Sequence, residues 1–248
     1  MKKVCVVTAT RAEYGLLKPL MDDIKRSEHL DLQVLVTGAH LSPEFGNTYL
    51  QILNDGFIID EKVDMLLSAD TAVAIAKTMG LGMIGYADAL MRLDPDMLVI
   101  LGDRYEMLAV ASAAAVMHIP IVHIHGGEIT EGAYDDAIRH SITKLSHLHF
   151  TSTEAYRRRA IQLGEQPSLV HNVGAIGLDN IVNIQLLSKA SLAANLNVGF
   201  KRYNYQVTFH PETLADVSAA AQFQILLDAL RHQKDSFFVF TKSNADTD

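Results

Sequence analysis

The chain has little of what several classes of protein require. Of its 248 residues one is a cysteine, Cys5, and none is a tryptophan. A single cysteine cannot form a disulfide within the chain, which indicates a reducing compartment, and its place in an apolar run predicts a small core residue. No apolar run approaches the roughly 20 residues of a membrane-spanning helix, and Arg11 and Glu13 interrupt the first one too early for a signal peptide. We therefore expect a soluble, cytoplasmic protein.

Positive charge is also scarce. Lys and Arg together number 21 against 29 Asp and Glu, a formal net charge of −8. This balance argues against a general nucleic-acid-binding protein, which would carry a basic stripe. An anionic ligand is still compatible with the sequence if the cations act locally, and Arg11, Lys18 and Arg104 are placed where they could. Since 49% of the residues are hydrophobic, the chain can bury a substantial core.

Short apolar runs alternate with amphipathic or Ala-rich segments along most of the chain. Leu16, Leu17, Leu20, Met21 and Ile24 form one such helical stripe at spacings of three and four. A β-α-β series of this kind predicts an α/β fold with a doubly wound, mainly parallel, Rossmann-like sheet. Strands are predicted at 4–7, 32–36, 58–63, 97–101, 119–124, 149–151 and 170–173, and further helices at 43–53, 71–92, 106–117, 135–145 and 153–163.

The pattern changes near residue 179, so we predict domains at 1–179 and 180–248. The second segment holds a linker, a strand at 205–209, a helix at 214–232 and a strand at 237–240. A lone β-α-β unit cannot cover its own sheet. We therefore interpret it as the start of a second Rossmann-like domain that is truncated at its C-terminal end.

The densest polar cluster is His123-Ile124-His125-Gly126-Gly127-Glu128, directly after a predicted buried strand. Ligands bind at the carboxyl ends of strands in open parallel sheets. Strand alternation predicts that His123 and His125 share one face, and the glycines allow a sharp turn or a close approach to a ligand. The cluster is therefore a candidate catalytic loop.

Polar residues also follow other predicted strands. Arg11 lies between the first strand and a helix N-terminus, where backbone N–H groups and a guanidinium suit an anion. That loop lacks the glycine fingerprint of dinucleotide binding, so no nicotinamide cofactor is expected. His40 follows the second strand, and Asp103 and Arg104 follow the fourth. Asp103 is either a helix cap or a catalytic carboxylate.

Asp135 and Asp136 begin a predicted helix that continues to His140, four residues after Asp136 and on the same face. Carboxylates gathered with imidazoles are suited to proton transfer at carbon, since one group removes a proton and another donates one. The same types of side chain can bind a metal, so a metal-dependent hydrolase remains an alternative. The sequence has neither His-Glu-x-x-His nor paired cysteines, which disfavours that alternative, and we predict no metal.

Six motifs, taken together and in order, resemble the UDP-N-acetylglucosamine 2-epimerase family. The resemblance is strongest to its hydrolysing branch, which starts sialic acid synthesis. The motifs are Thr10-Arg11-Ala12-Glu13-Tyr14-Gly15, Gly46-Asn47-Thr48-Tyr49, Gly102-Asp103-Arg104-Tyr105-Glu106, the cluster at 123–128, the run from Asp135 to Lys144, and His210-Pro211-Glu212-Thr213.

The resemblance implies two Rossmann-like domains, as in B-type glycosyltransferases, and a specific reaction. UDP-N-acetylglucosamine and water would give N-acetylmannosamine and UDP, by loss of the C2 proton with elimination of UDP, followed by hydration of the glycal. It implies no cofactor, a UDP-sugar as partner, no nucleic acid or membrane, and a homodimer. Two variants stay open: an epimerase of a UDP-bacillosamine-type sugar, and a nucleotide-sugar-binding fragment without turnover.

The resemblance also assigns roles to residues of this chain. Family members differ at the position of His125, where some have Glu, so whether His125 or Glu128 fills the acid position stays open. The implied catalytic residues are Asp103, Glu128, Asp135, His210 and His125, and the implied UDP or substrate contacts are Arg11, His40, Arg104, Asp136 and Asn244.

Overall fold

This computed structural model describes residues 1–69, 71–131, 133–183, 185–211 and 217–241. The chain divides into two compact units, Met1–Ile181 and Val182–Asp248. None of the helices in the described ranges has the length and apolar character that crossing a bilayer requires.

The first unit alternates strands and helices almost strictly. Single 3₁₀ turns lie at Gly38–Leu41, Pro43–Phe45 and Pro167–Leu169. The strands and helices are β1 (Lys2–Thr8), α1 (Arg11–Arg26), β2 (Leu30–Thr37), α2 (Tyr49–Asn54), β3 (Glu61–Val63), α3 (Ala72–Leu93), β4 (Met97–Leu101), α4 (Tyr105–Val116), β5 (Ile121–Ile124), α5 (Asp135–Leu145), β6 (Leu148–Thr151), α6 (Glu154–Gln162), β7 (Val170–Asn172) and α7 (Gly177–Asn183), which continues past the end of the unit at Ile181.

Seven strands form one sheet in the order β3-β2-β1-β4-β5-β6-β7, and every neighbouring pair is parallel. The chain proceeds outward from β1 to β3 and then returns to place β4 on the other side of β1. The direction of winding therefore reverses between β1 and β4, and ligands bind at such a switch point in this type of sheet. The predicted α/β fold with a doubly wound parallel sheet is confirmed.

The two faces of β1 show how the sheet is covered. Val4 and Val6 pack in a cluster with buried residues of α1, whereas Cys5 and Val7 pack in another with residues of α3 and α4. This alternation follows from the two-residue period of a strand. Cys5 is completely buried, as predicted, and burial raises the pKa of its thiol.

The segment 43–53 differs from the prediction of one short helix. Gly46 and Asn47 adopt left-handed φ values of 85° and 49°, which separate the 3₁₀ turn at Pro43–Phe45 from α2. Consecutive left-handed residues cannot continue a right-handed helix. The apolar spacing correctly predicted helical structure at both ends of this segment, but it did not predict the turn between them.

Helix α3 is unbroken although it contains three glycines. A Cβ atom on Gly85 would lie 2.6 Å from Cγ1 of Val63, and one on Gly82 would lie 2.7 Å from Cε of Met65. These two glycines therefore allow α3 to approach β3 and the residues after it closely. Gly80 has no heavy atom within 4 Å of its Cβ position.

The second unit contains α8 (Lys189–Leu196), β8 (Tyr203–Val207), α9 (Ala219–Leu230) and β9 (Ser236–Phe240). Strands β8 and β9 pair in parallel, and the rings of Tyr205 and Phe238 stack with centroids 5.2 Å apart. β8 begins and ends two residues earlier than the predicted strand at 205–209.

Candidate active site

Several of the predicted site residues lie at the carboxyl ends of the central strands. Asp103 is two residues beyond β4, Arg11 is three beyond β1, and His125 is one beyond β5. Since β1, β4 and β5 are neighbours in the sheet, their carboxyl ends meet at one edge. The predicted grouping at this edge is therefore present for the first unit.

Arg139 of α5 links Asp103 to Asp136. Its Nη2 donates to Oδ2 of Asp103 and, at 3.0 Å, to Oγ1 of Thr130, while Nη1 donates to Oδ1 of Asp136 at 2.8 Å. The backbone N–H of Thr130 also donates to Oδ1 of Asp136 at 2.7 Å. Only 4% of Arg139 is exposed, so it holds two carboxylates from separate elements in a fixed arrangement.

Arg139 was not among the predicted site residues. A signal was present: Arg139 is three and four residues before Ile142 and Thr143, which are the other buried residues of α5. An arginine on the buried stripe of a helix requires anionic partners, because an unpaired buried charge is costly. Asp103 is one of these anionic partners. It does not cap α4, because the N-cap residue is Arg104, which makes no side-chain cap bond.

The two acids that begin α5 have different surroundings. Asp136 accepts from Arg139 and from the backbone of Thr130. Asp135 precedes Asp136 by one residue, so its side chain leaves the helix about 100° away from that of Asp136. Asp135 is partly buried. The structure thus gives Asp136 an anchoring position and leaves Asp135 on another side of the same first turn.

Arg104 lies between two buried carboxyl groups. Its Nε and Nη2 each donate to Glu106 at 3.1 Å, and its Nε is 3.9 Å from Oε1 of Glu13. Glu106 is fully buried and Glu13 is 8% exposed. These contacts connect the loop after β4 to α1, beside the switch point of the sheet.

Glu13 and Thr10 form a reciprocal capping box at the start of α1. Oε2 of Glu13 accepts the backbone N–H groups of Ala9 and Thr10 at 2.8 and 3.2 Å. Burial raises the pKa of Glu13 to about 7, against the lowering effect of Arg104. Glu13 was not among the predicted site residues, although the Thr-x-x-Glu spacing is a recognisable capping signal.

His123 supports the site from the interior of the protein. Its Nε2 donates to the backbone oxygen of Gly102 at 2.7 Å, and its Nδ1 is 3.1 Å from Oγ1 of Thr143. Burial lowers the pKa of this imidazole to about 4, so it is neutral at pH 7. His123 therefore ties the end of β4 to β5 and α5.

His125 does not continue the strand alternation, so the prediction that it shares a face with His123 is wrong. Its φ is 65°, and its N–H donates to the oxygen of Phe150 at 2.8 Å. Its Nδ1 is 3.5 Å from Oε1 of Glu128, which accepts from Oγ of Ser152 at 2.6 Å. Burial lowers the pKa of His125. The two candidates for the acid position thus adjoin one another.

Gly126 and Gly127 are required by the shape of this loop. A Cβ on Gly126 would lie 2.9 Å from Nδ1 of His123. A Cβ on Gly127, whose φ is 78°, would lie 2.4 Å from the backbone oxygen of Tyr156. Arg159 of α6 donates to the backbone oxygen of Gly127. Helix α6 therefore fixes the backbone just before Glu128.

His40 lies in the interior and not on the site surface. It has no exposed area, its Nε2 is 3.0 Å from Oγ1 of Thr8, and its Nδ1 is 2.7 Å from Oγ1 of Thr48. Burial lowers its pKa to about 4. The prediction that His40 contacts a ligand directly is therefore corrected. His40 instead stabilises the loops that follow β1 and β2.

Three predicted site residues remain to be placed, namely Arg11, His210 and Asn244. Arg11 is exposed as the first residue of α1. His210 follows β8 and is exposed in the second unit. The predicted contact Asn244 lies outside the described residues.

In the part of the chain that the structure describes, no group of three or more His, Cys, Asp or Glu side chains is arranged to hold a metal ion. His123, an imidazole that a metal-dependent hydrolase could use as a ligand, has both ring nitrogens engaged within the protein. It could ligate a metal only after losing one of these contacts.

The fold and the site together define a Rossmann-like α/β protein with an acid- and arginine-rich cluster at the switch point of its sheet. The family model described as UDP-N-acetylglucosamine 2-epimerase matches residues 22–248. The chain belongs to this family.

Curated relatives agree with this assignment. A GDP/UDP-N,N'-diacetylbacillosamine 2-epimerase (hydrolyzing) of Campylobacter jejuni is 46% identical over 99% of this chain and 64% of its own length. The polysialic acid biosynthesis protein P7 of Escherichia coli is 42% identical over 100% of this chain and 63% of its own length. The chain thus spans a little less than two thirds of these relatives.

Solved structures show the same fold. The crystal structure of UDP-GlcNAc 2-epimerase from Neisseria meningitidis bound to UDP-GlcNAc aligns with a TM-score of 0.78 at 18% identity, covering 98% of this chain and 66% of that one. At this identity the likeness is one of fold.

Proposed function

We propose that this chain carries the first domain of a hydrolysing UDP-N-acetylglucosamine 2-epimerase, which converts UDP-N-acetylglucosamine and water to N-acetylmannosamine and UDP. Membership of the family supports the sugar-nucleotide class of substrate. The observation that carries the proposal is the Asp103–Arg139–Asp136 linkage at the switch point of the sheet. We propose that the partly exposed carboxylate of Asp103 faces the sugar ring.

The chemistry needs one group to remove a proton from carbon and another to return one. In the first step a base takes the C2 proton, a C1=C2 double bond forms, and UDP leaves with the electrons of the C1–O bond. In the second step water adds its hydroxyl to C1, and a proton reaches C2 from the opposite face. A positioned acid or base contributes about 10²–10⁴ in rate to such steps.

Asp103 is the proposed carboxylate for proton transfer at C2. Its partner Arg139 is almost fully buried, so the orientation of the carboxylate is set before the substrate binds. Asp135 is the second proposed carboxylate, in the first turn of α5. Fixed geometry of this kind lowers the barrier, because the groups need not be ordered during the reaction.

The loop after β5 supplies the third proposed group. Glu128 and His125 are adjacent, and a carboxylate beside Nδ1 favours the tautomer in which Nδ1 carries the proton and Nε2 can accept one. In this arrangement His125 acts as the proton-transferring group and Glu128 orients it. The opposite assignment, with Glu128 as the acid, predicts greater sensitivity of the rate to Glu128→Gln than to His125→Asn.

The diphosphate is assigned to cations and to a helix N-terminus. Arg11 is exposed as the first residue of α1, and the N-terminus of a helix favours an anion. Arg104 and Asp136 are the other proposed UDP or substrate contacts of the first unit. His210 is proposed to act at the leaving group, and Asn244 at the nucleotide. A homodimer and a cytoplasmic location stay predictions.

A second substrate is favoured by a specific observation. The relative with 46% identity and another with 36% identity are named as hydrolysing epimerases of N,N'-diacetylbacillosamine nucleotides. That sugar carries the same C2 acetamido group and C1 diphosphate but differs at C4 and C6. The proposed chemistry at C1 and C2 therefore applies equally to both sugars.

The test uses the complete protein, meaning the product of the complete reading frame that contains these residues. Purified protein is incubated in D₂O with UDP-N-acetylglucosamine or UDP-N,N'-diacetylbacillosamine, and kcat/KM and products are measured by NMR. We expect UDP, a 2-epimerised free sugar, and deuterium at its C2. The larger kcat/KM identifies the substrate, and binding without turnover would instead support a nucleotide-sugar-binding protein.

Asp103→Asn tests the assigned residue. We expect kcat to fall about 10²–10⁴-fold, while Asp88→Asn, the same change at an exposed position of α3, leaves it unchanged. Far-UV circular dichroism checks that both variants fold. An Asp103→Asn protein with the parent rate would remove Asp103 from the mechanism.

A further inference from the structure

Glu13 joins two loops of the candidate site. One carboxylate oxygen, Oε2, accepts the backbone N–H groups of Ala9 and Thr10, in the loop that leads to α1. The other, Oε1, faces Nε of Arg104, in the loop after β4, at 3.9 Å. Any change in the charge of Glu13 therefore acts on both loops.

Oε1 of Glu13 is buried and has no hydrogen-bond partner within the described residues. Such an unsatisfied buried oxygen is uncommon and costs free energy. Protonation of Oε1 removes the buried negative charge and leaves Oε2 free to keep both backbone bonds. The geometry therefore provides a place for a proton that does not disturb the capping of α1.

The charges around this carboxyl group come from three elements. The Arg104 guanidinium stabilises the ionised form, the Glu106 carboxylate of α4 opposes it, and the hydroxyl of Tyr86 of α3 is also within electrostatic range. Arg11 is two residues earlier on α1 itself. Two buried carboxyl groups thus face the guanidinium of Arg104, so adding another anion nearby is unfavourable while Glu13 is ionised.

The diphosphate site proposed above lies on the same first turn. Its anion would be drawn by the backbone N–H groups at the start of α1 and by Arg11. An ionised Glu13 in this turn repels that anion, and because the carboxylate is buried the repulsion is screened little by solvent. A neutral Glu13 does not.

We propose that Glu13 is a positioning residue that takes up a proton when the diphosphate of a UDP-sugar binds at the N-terminus of α1. The proposal rests on the function proposed above. Proton uptake removes the repulsion between Glu13 and the diphosphate. Arg104 keeps its ion pair with Glu106. The bound anion and the protonated carboxyl group then occupy the start of α1 together.

The direction of the pH dependence follows from linkage. Burial raises the pKa of Glu13 to about 7 in the free protein, and the bound anion raises it further. Affinity for a UDP-sugar is then highest well below pH 7 and decreases as the pH rises through 7. If binding raises the pKa by one unit, the Kd increases about sevenfold between pH 6 and pH 8.5. The diphosphate diester of a UDP-sugar does not titrate in this range.

The experiment measures the Kd of UDP-N-acetylglucosamine by isothermal titration calorimetry between pH 6 and pH 8.5. It uses the complete protein carrying Asp103→Asn, so that turnover does not obscure binding. Buffers of different ionisation enthalpy report the protons taken up. We expect a several-fold rise in Kd with pH and net proton uptake near pH 7.

Glu13→Gln is the informative variant, because the amide oxygen can accept the same backbone bonds without charge. We expect its Kd to equal the parent value at pH 6 and to stay constant up to pH 8.5, without proton uptake. Glu28→Gln, a matched change at an exposed position, should keep the parent pH dependence.

Three results would overturn the proposal. One is a pH-independent Kd in the parent, and another is an unchanged pH dependence in Glu13→Gln. The third is uniformly weak binding by Glu13→Gln at every pH, which would indicate a structural role alone. Absence of any binding or turnover by the unmutated protein would reject the proposed function itself, and with it this inference.

Discussion

Substituting Gly127 by alanine tests how tightly α6 fixes the loop that carries His125 and Glu128. The added Cβ would lie 2.4 Å from the backbone oxygen of Tyr156, at a residue whose φ is 78°. That oxygen belongs to a helix, so it cannot rotate away as a flexible side chain could. Relief of the contact requires movement of the loop or of α6.

The expected cost has two parts. A left-handed conformation costs a residue with a Cβ roughly 1–2 kcal/mol. Overpacking that forces a backbone shift typically costs about 1–3 kcal/mol. Gly127→Ala should therefore reduce the free energy of unfolding of the first unit by roughly 2–5 kcal/mol.

A matched glycine separates the two parts. Gly56 has a φ of 84° and no heavy atom within 4 Å of its Cβ position, so Gly56→Ala should cost only the conformational part, about 1–2 kcal/mol. Both variants are compared with the parent by urea unfolding, followed by far-UV circular dichroism. Since two units can unfold in separate steps, hydrogen exchange in α6 reports on the first unit alone.

Equal destabilisation by the two variants would refute the reasoning, because it would show that Tyr156 does not resist the added methyl group. Normal hydrogen exchange in α6 of Gly127→Ala would refute it as well. Gly127→Ala should also displace Glu128, so UDP-sugar turnover should fall more than the loss of stability alone explains.

Three further predictions concern the core and the site. In a double-mutant cycle of Arg139→Gln and Asp103→Asn, we expect a coupling of about 1–3 kcal/mol in urea unfolding, and additive effects would contradict the bridge. The pKa of His123 is lowered to about 4, so its stabilising contribution is full above pH 6.5 and is lost as the pH falls toward 4. Between pH 7 and pH 4.5 the free energy of unfolding should therefore fall by about 2–3 kcal/mol more in the parent than in His123→Asn, and parallel curves would contradict this. Gly80→Ala should stabilise α3 by about 0.5–1 kcal/mol and Gly85→Ala should destabilise by about 1–3 kcal/mol, as read from thermal melts, and the same sign for both would contradict the packing described.

The sequence was sufficient for the order of the elements because their patterns are local. The period of apolar residues distinguishes a buried strand such as β4 from a helix such as α5, and both have the predicted bounds. The break at Gly46 and Asn47 was missed because apolar spacing alone does not report a left-handed turn. Gly82 and Gly85 are understood only from the packing of α3 on a neighbouring segment.

The location of the candidate site could be predicted from the sequence, but most contacts between its residues could not. Polar residues at strand ends indicated the edge of the sheet at which the site would lie, and Asp103 is at that edge. Its partner Arg139 is 36 residues away, and the pairing depends on how α5 packs beside β5. His40 shows the opposite error, because a histidine at a strand end is equally suited to linking two threonines in the interior.

The large sheet ends on both sides in very short strands, Glu61–Val63 and Val170–Asn172. An edge strand exposes backbone donors and acceptors that can recruit a strand of another molecule. Edges of three residues offer few such groups, so this sheet is a poor template for extension from copy to copy or for fibre growth. At high concentration, self-association of the first unit should therefore proceed through side chains on its helices.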